Sequence, residues 1–178
     1  MYGRFGNPSP RQVEPGDHPA WDEALALVNR DVAATLPDQR PLRLMALPPW
    51  EEGGPEIVHV TLANGEWWGE HLRHDPAEPH PDPLAALAAV AEAAQDTVTE
   101  RLWQAWPVCA AHDRGMHLSE DESHPVWRCA GDGRDPAHVG ARVGELGTQS
   151  AATGRSSSLD RSTPSDRSTP SDRSTPSG

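Results

Sequence analysis

The run Ile57-Val-His-Val-Thr-Leu-Ala63, Asn64-Gly65, Glu66-Trp-Trp-Gly-Glu-His-Leu72 constrains this chain more than any other stretch. Two β-prone arms separated by Asn-Gly predict a hairpin closed by a two-residue type I′ turn. A two-residue turn fixes the register, setting Leu62 opposite Trp67, Val60 opposite Gly69 and His59 opposite Glu70. One face then holds Val58, Val60, Leu62 and Trp67 as the core side, while His59, Thr61, Trp68 and Glu70 share the other. The apolar run Leu42-Arg-Leu-Met-Ala-Leu47 predicts a further strand before the hairpin, making three.

Helical patterns flank these strands. Asp17-His-Pro-Ala opens the first, with Asp17 able to cap it, and Trp21, Leu25, Val28, Val32 and Leu36 form one apolar stripe before Pro37. The second takes Asp82 as cap and Pro83 at its first position, with Leu84, Leu87, Ala91, Ala94, Val98, Leu102 and Ala105 along one face, and stops at Pro107. The chain therefore reads as α+β: a helix, a three-stranded antiparallel meander and a helix, followed by a small Cys/His unit and a disordered tail. The divisions fall at 1–16 (flexible N-terminus), 17–106 (α-β-β-β-α domain), 107–146 (zinc-ribbon-like unit) and 147–178. That last segment repeats Asp-Arg-Ser-Thr-Pro-Ser from Asp160, Asp166 and Asp172 with no apolar residue in the unit.

The helix–strands–helix order coincides with the double-stranded RNA-binding domain, but charge argues against that use. The net charge is −12, and residues 17–106 carry sixteen acids against five arginines. Without a basic face there is nothing to meet phosphates, so nucleic acid is not an expected partner. The first ten residues lack an apolar signal-like region, and the most apolar segment, Leu84 to Ala94, is interrupted by Glu92, so the expectation is a cytoplasmic chain that does not enter membranes.

Both cysteines and four of the nine histidines lie within residues 109–138, as Cys109-x2-His112, His117, His124 and Cys129-x8-His138. Two residues between Cys109 and His112 let the chain turn back on one ion, and thiolate with imidazole suits tetrahedral zinc. The eight residues between Cys129 and His138 exceed the usual two to five, and His117 or His124 could replace either histidine. The candidate ligands are Cys109, His112, Cys129 and His138 in a structural site; ordinary buried thiols and a redox disulfide are the alternatives. A 40-residue unit with few large apolar side chains is short of core, a deficit that metal cross-linking commonly remedies.

Leu102-Trp-Gln-Ala-Trp-Pro-Val-Cys-Ala-Ala-His112, Val126-Trp-Arg-Cys129 and His138-Val-Gly-Ala-Arg-Val-Gly-Glu-Leu146 resemble an uncharacterised family of small actinobacterial proteins over residues 17–146. The resemblance implies that 109–138 is a folded unit and carries no known activity. The segment Gly131 to Ala137 is longer than that pattern's glycine-rich link, which bears on the role of His138.

His59 facing Glu70 would give a carboxylate-oriented imidazole, and an ordinary cross-strand pair is the plainer explanation. Trp50 in its loop, Trp68 on the outer face and Trp103 off the helix stripe are candidates for exposure among acids, a signature of protein-binding surfaces. With His59 and Glu70, Trp50 and Trp68 make the candidate binding surface. The sequence thus points to a non-enzymatic protein-binding or adaptor module; the alternative is a small metal-dependent or His-based hydrolase.

Overall fold

Helix α1 spans Pro19–Thr35 and α2 spans Pro83–Leu102 in a computed structural model that describes residues 9–49, 51, 53–73 and 82–148. The start of α2 follows the sequence: Asp82 accepts from the Ala85 N–H at 3.0 Å, with Pro83 behind it. The start of α1 does not. His18 holds the cap position without a side-chain cap bond, Asp17 pairs instead with Arg11, and Asp22 of the first turn accepts from the Gly16 N–H at 2.7 Å. The two helices pack together, α1 burying Trp21, Ala24, Val28, Asp31 and Val32 and α2 burying a wide alanine- and valine-rich face. Helix α2 ends before Ala105, because the indole of Trp106 donates to the Thr35 hydroxyl at 2.9 Å and draws the chain back toward α1.

Strands β2 (Arg43–Leu47) and β3 (Ile57–Thr61) pair antiparallel, with Leu44 beside Val60 and Ala46 beside Val58. These four residues are buried, as are Leu42 and Leu62. The third strand is β1, Arg11–Gln12, which pairs with Ala46 and Met45 in the order β1-β2-β3. Ordered structure thus begins inside the segment expected to be flexible, and Val13 joins the core.

The α+β class and the three-stranded antiparallel sheet stand, whereas the strand expected over Glu66–Leu72 does not form. Its turn is the cause. Gly65 has positive φ (88°) and Asn64 does not, and the Leu62 N–H donates to the Glu66 carbonyl at 2.8 Å. The loop is therefore Ala63-Asn64-Gly65, three residues rather than two, and a one-residue slip turns the second arm over. Trp67, expected in the core, is 36 % exposed. The arm then separates from β3 around the Thr97 hydroxyl of α2, which lies 3.0 Å from the Val60 carbonyl and accepts from the Trp68 N–H at 3.2 Å. Pairing resumes only at Leu72, bridged to Val58.

Thr97 has no exposed surface, so its hydroxyl takes the place of ladder bonds that water cannot reach. The Thr97→Val variant keeps the shape and leaves the Trp68 N–H without its partner. Its expected cost is about 1–3 kcal/mol in urea unfolding, against under about 1 kcal/mol for Thr97→Ser.

The C-terminal unit consists of a two-stranded knuckle, β4 (Val108–Cys109) with β5 (Arg114–Gly115), and an antiparallel sheet of β6 (His117–Asp121), β7 (His124–Cys129) and β8 (His138–Arg142). Trp127 is fully buried, and its ring meets that of Trp106 edge-on at 5.3 Å. Both helices hold the unit. Gln95 of α2 donates to the carbonyls of Trp106 (2.9 Å) and Met116 (2.7 Å). Asp31 of α1 accepts from the Trp127 indole (2.7 Å) and from the Gly144 (2.7 Å) and Leu146 (2.9 Å) N–H groups. Cys109, Met116, Trp127, Cys129 and Val143 consequently belong to the same core as the helices and the first sheet. No helix among the described residues is long and apolar enough to cross a membrane.

Candidate metal centre

Trp106 and Trp127, each fastened to α1, stand just upstream of Cys109 and Cys129, so the helix that anchors the indoles also places the thiols. After Cys109 the chain turns sharply: the His112 and Asp113 N–H groups both point to the Cys109 carbonyl, at 3.3 and 2.8 Å, with Asp113 in the left-handed region (φ 50°). That turn returns the His112 ring to the sulfur. Cys129 and His138 meet differently, as direct cross-strand partners of β7 and β8. The eight-residue spacing is a strand-to-strand connection, and the knuckle rule for short spacings does not govern it.

The donor atoms of Cys109, His112, Cys129 and His138 all lie within 4.8 Å of one another, close enough to hold a metal ion. The Cys109 sulfur is 3.6 Å from His112 Nδ1 and 3.5 Å from His138 Nε2, and the Cys129 sulfur is 3.4 Å from His112 Nδ1. Bond lengths near 2.3 Å to sulfur and 2.05 Å to nitrogen give a tetrahedron with a sulfur-to-nitrogen edge of about 3.6 Å, which these separations match. His117 and His124 are not in the group; His117 is exposed, and His124 Nδ1 faces the Glu122 carbonyl at 3.1 Å.

The outer ring nitrogens are engaged as well. His112 Nε2 lies 3.4 Å from Asp135 Oδ2, and His138 Nδ1 lies 3.5 Å from the Pro136 carbonyl. Such contacts fix which nitrogen faces an ion and which way the ring turns. Both come from the Gly131–Ala137 segment, where Asp132 accepts from the Arg134 and Asp135 N–H groups, so the added length builds the support for both histidines. The Gly131 N–H also donates to the Cys129 sulfur at 3.4 Å. Burial would push the Cys109 thiol up, but the N–H groups of Ala111 and His112 and the two imidazoles overcome it and bring the thiol down to about 6. Hydrogen bonding to Cys109 in turn raises His112, against burial and with help from Asp135. Asp135→Ala is expected to lower metal affinity about 10–100-fold, measured by chelator competition, with the fold kept.

His59 and Glu70, expected to face each other, do not pair. The slipped turn leaves Glu70 exposed and bonded to Arg73 at 3.0 Å, while His59 is buried beneath Trp67, ring centres 5.0 Å apart, with the His71 ring at 6.1 Å. His59 therefore contributes no exposed binding surface and has no carboxylate among the described residues to orient it; burial, then the His71 charge, lowers its pKa. Trp68 is 53 % exposed and Trp103 88 %, while Trp50 lies outside the described residues. Sequence reasoning missed Asp31, an acid on the apolar face of α1 between Val28 and Val32; that break in the stripe was the available signal.

A cavity of about 310 Å³ borders this four-residue cluster between β4 and β8, lined by Cys109, Ala110, Met116, His138, Val139 and Leu146 among others. No carboxylate among the described residues lines it. No family model matches the chain, and neither a curated protein nor a solved structure matches it.

Proposed function

We propose that the protein is a non-enzymatic protein-binding or adaptor module of the cytoplasm, its C-terminal unit held by a structural zinc ion on Cys109, His112, Cys129 and His138. The observation that carries the zinc reading is the donor set itself: two thiolates and two imidazoles within 4.8 Å of one another, three of their sulfur-to-nitrogen edges at 3.4, 3.5 and 3.6 Å, with both outer ring nitrogens in use. Four protein donors fill the shell and leave no place for a substrate water. Among the described residues lining the bordering cavity, the groups able to take a proton are His138 and Cys109, and the ion engages both, which favours a structural ion over the hydrolase alternative. Trp68 and Trp103, exposed on a chain of net charge −12, support a surface for another protein. The similarity to the small actinobacterial family belongs to this reading, since its Gly-Glu-Leu ending is the segment that Asp31 grips.

Cobalt(II) substitution, combined with an esterase and phosphatase screen, tests the proposal. A closed site gives intense visible bands that added azide leaves unchanged, with no turnover. Bands that shift with azide, or metal-dependent turnover, would favour the hydrolase.

A further inference from the structure

The two cysteines differ in what reaches them. Cys129 has no exposed surface and does not line the cavity, and its sulfur accepts from the Gly131 N–H. Cys109 forms part of the cavity wall. The rest of that wall is mostly aliphatic, and Val108 (39 % exposed) and Val139 (38 %) leave apolar surface on either side. A space of about 310 Å³ with such a lining admits a small apolar molecule and brings it against Cys109, one of the two cysteines of the four-donor set.

From this geometry we propose that Cys109 is a modification site for apolar organic hydroperoxides, entered through the cavity between β4 and β8, with Cys129 as the resolving thiol. The inference rests on the four-donor reading above. The Cys109 thiolate attacks the outer peroxide oxygen; the O–O bond breaks, the alkoxide leaves and takes up a proton as the alcohol, and Cys109 becomes a sulfenic acid. The Cys129 thiolate, its sulfur within 4.8 Å, then attacks the Cys109 sulfur, forming the S–S bond and expelling hydroxide, which is protonated to water. The two sulfurs are oxidised by two electrons and the peroxide is reduced by two. An ion left with two imidazoles has lost both thiolate ligands and dissociates, so oxidation is read as metal release.

The test uses the full-length zinc-loaded protein, cumene hydroperoxide as the probe, dimedone to trap sulfenic acid, and a chromogenic chelator to follow metal. The expected result is a mass decrease of about 2 Da, release of the zinc in step with it, and early dimedone addition at Cys109 alone. Ala110→Phe, which fills the cavity from an exposed wall position without replacing a ligand, should retain zinc and slow oxidation by cumene hydroperoxide about tenfold, with a smaller effect on hydrogen peroxide. Zinc-loaded protein whose thiols stay inert, or whose adduct forms first at Cys129, would overturn the inference; the adduct position decides this in the wild type even if Ala110→Phe does not fold. Protein purified without metal that still forms the disulfide through Cys109 would sink the zinc reading and support the cavity-borne reaction.

Discussion

Replacing Asp31 with alanine is expected to destabilise the protein by about 3–5 kcal/mol while leaving its metal content unchanged. The carboxylate is fully buried and takes three donors, the Trp127 indole and the Gly144 and Leu146 N–H groups. Alanine strands all three. Asparagine offers one acceptor oxygen and turns an amide N–H₂ toward the remaining donor or donors, so Asp31→Asn should cost about 1–3 kcal/mol. The pair also separates by pH. Burial raises the Asp31 carboxyl above its ordinary value, outweighing the donors that lower it. A group raised in the folded state binds its proton more tightly there, so its stabilising contribution is present below the unfolded value of about 3.9 and is lost as pH rises through the folded value. The advantage of wild type over Asp31→Asn should therefore shrink as pH rises across that window, as seen in denaturant midpoints. An advantage that grows with pH would mean that the three donors outweigh burial.

Cys129→Ser is expected to cost more, about 5 kcal/mol or above, a part of the roughly 10–16 kcal/mol that structural zinc supplies in small finger peptides. Because Cys129 and Trp127 share one core with both helices, the loss should lower the melting temperature of the whole chain and not of residues 107–146 alone. Hydrogen exchange on α1 and β7 would show both speeding up together. A variant in which α1 keeps its protection while β7 loses it would mean that the Asp31 and Thr35 links do not couple the two halves. Asp31→Ala and Cys129→Ser are thus distinguishable: the first loosens the scaffold and keeps the ion, the second loses both.

Periodicity and caps made much of the frame legible, because they are local. The stripe from Trp21 to Val32, the Asp82 cap and the buried Val58, Val60 and Leu62 all follow from spacings within a few residues. The errors arose where a distant group intervened. Asn-Gly favours a two-residue turn, yet the loop takes three, and beyond it Thr97, more than thirty residues away, occupies the position of the next ladder bonds. The pairing of β1 with β2 spans more than thirty residues between Gln12 and Met45, and two residues carry no alternation to announce it. The four metal-ligand candidates were legible by residue type and by the Cys109–His112 spacing. What placed His138 was the β7–β8 register, and what supported it was the extra chain between Gly131 and Ala137, neither of which a ligand-spacing rule contains.

The most direct test of the four-donor centre is metal analysis of full-length protein purified without a histidine tag, alongside Cys109→Ser. The expected result is about one zinc per chain in the parent and almost none in the variant, and a melting temperature that falls when a strong chelator is added to the parent. A metal-free parent that melts at the same temperature with and without chelator would contradict it, and would leave Cys109 and Cys129 as ordinary buried thiols beside two histidines.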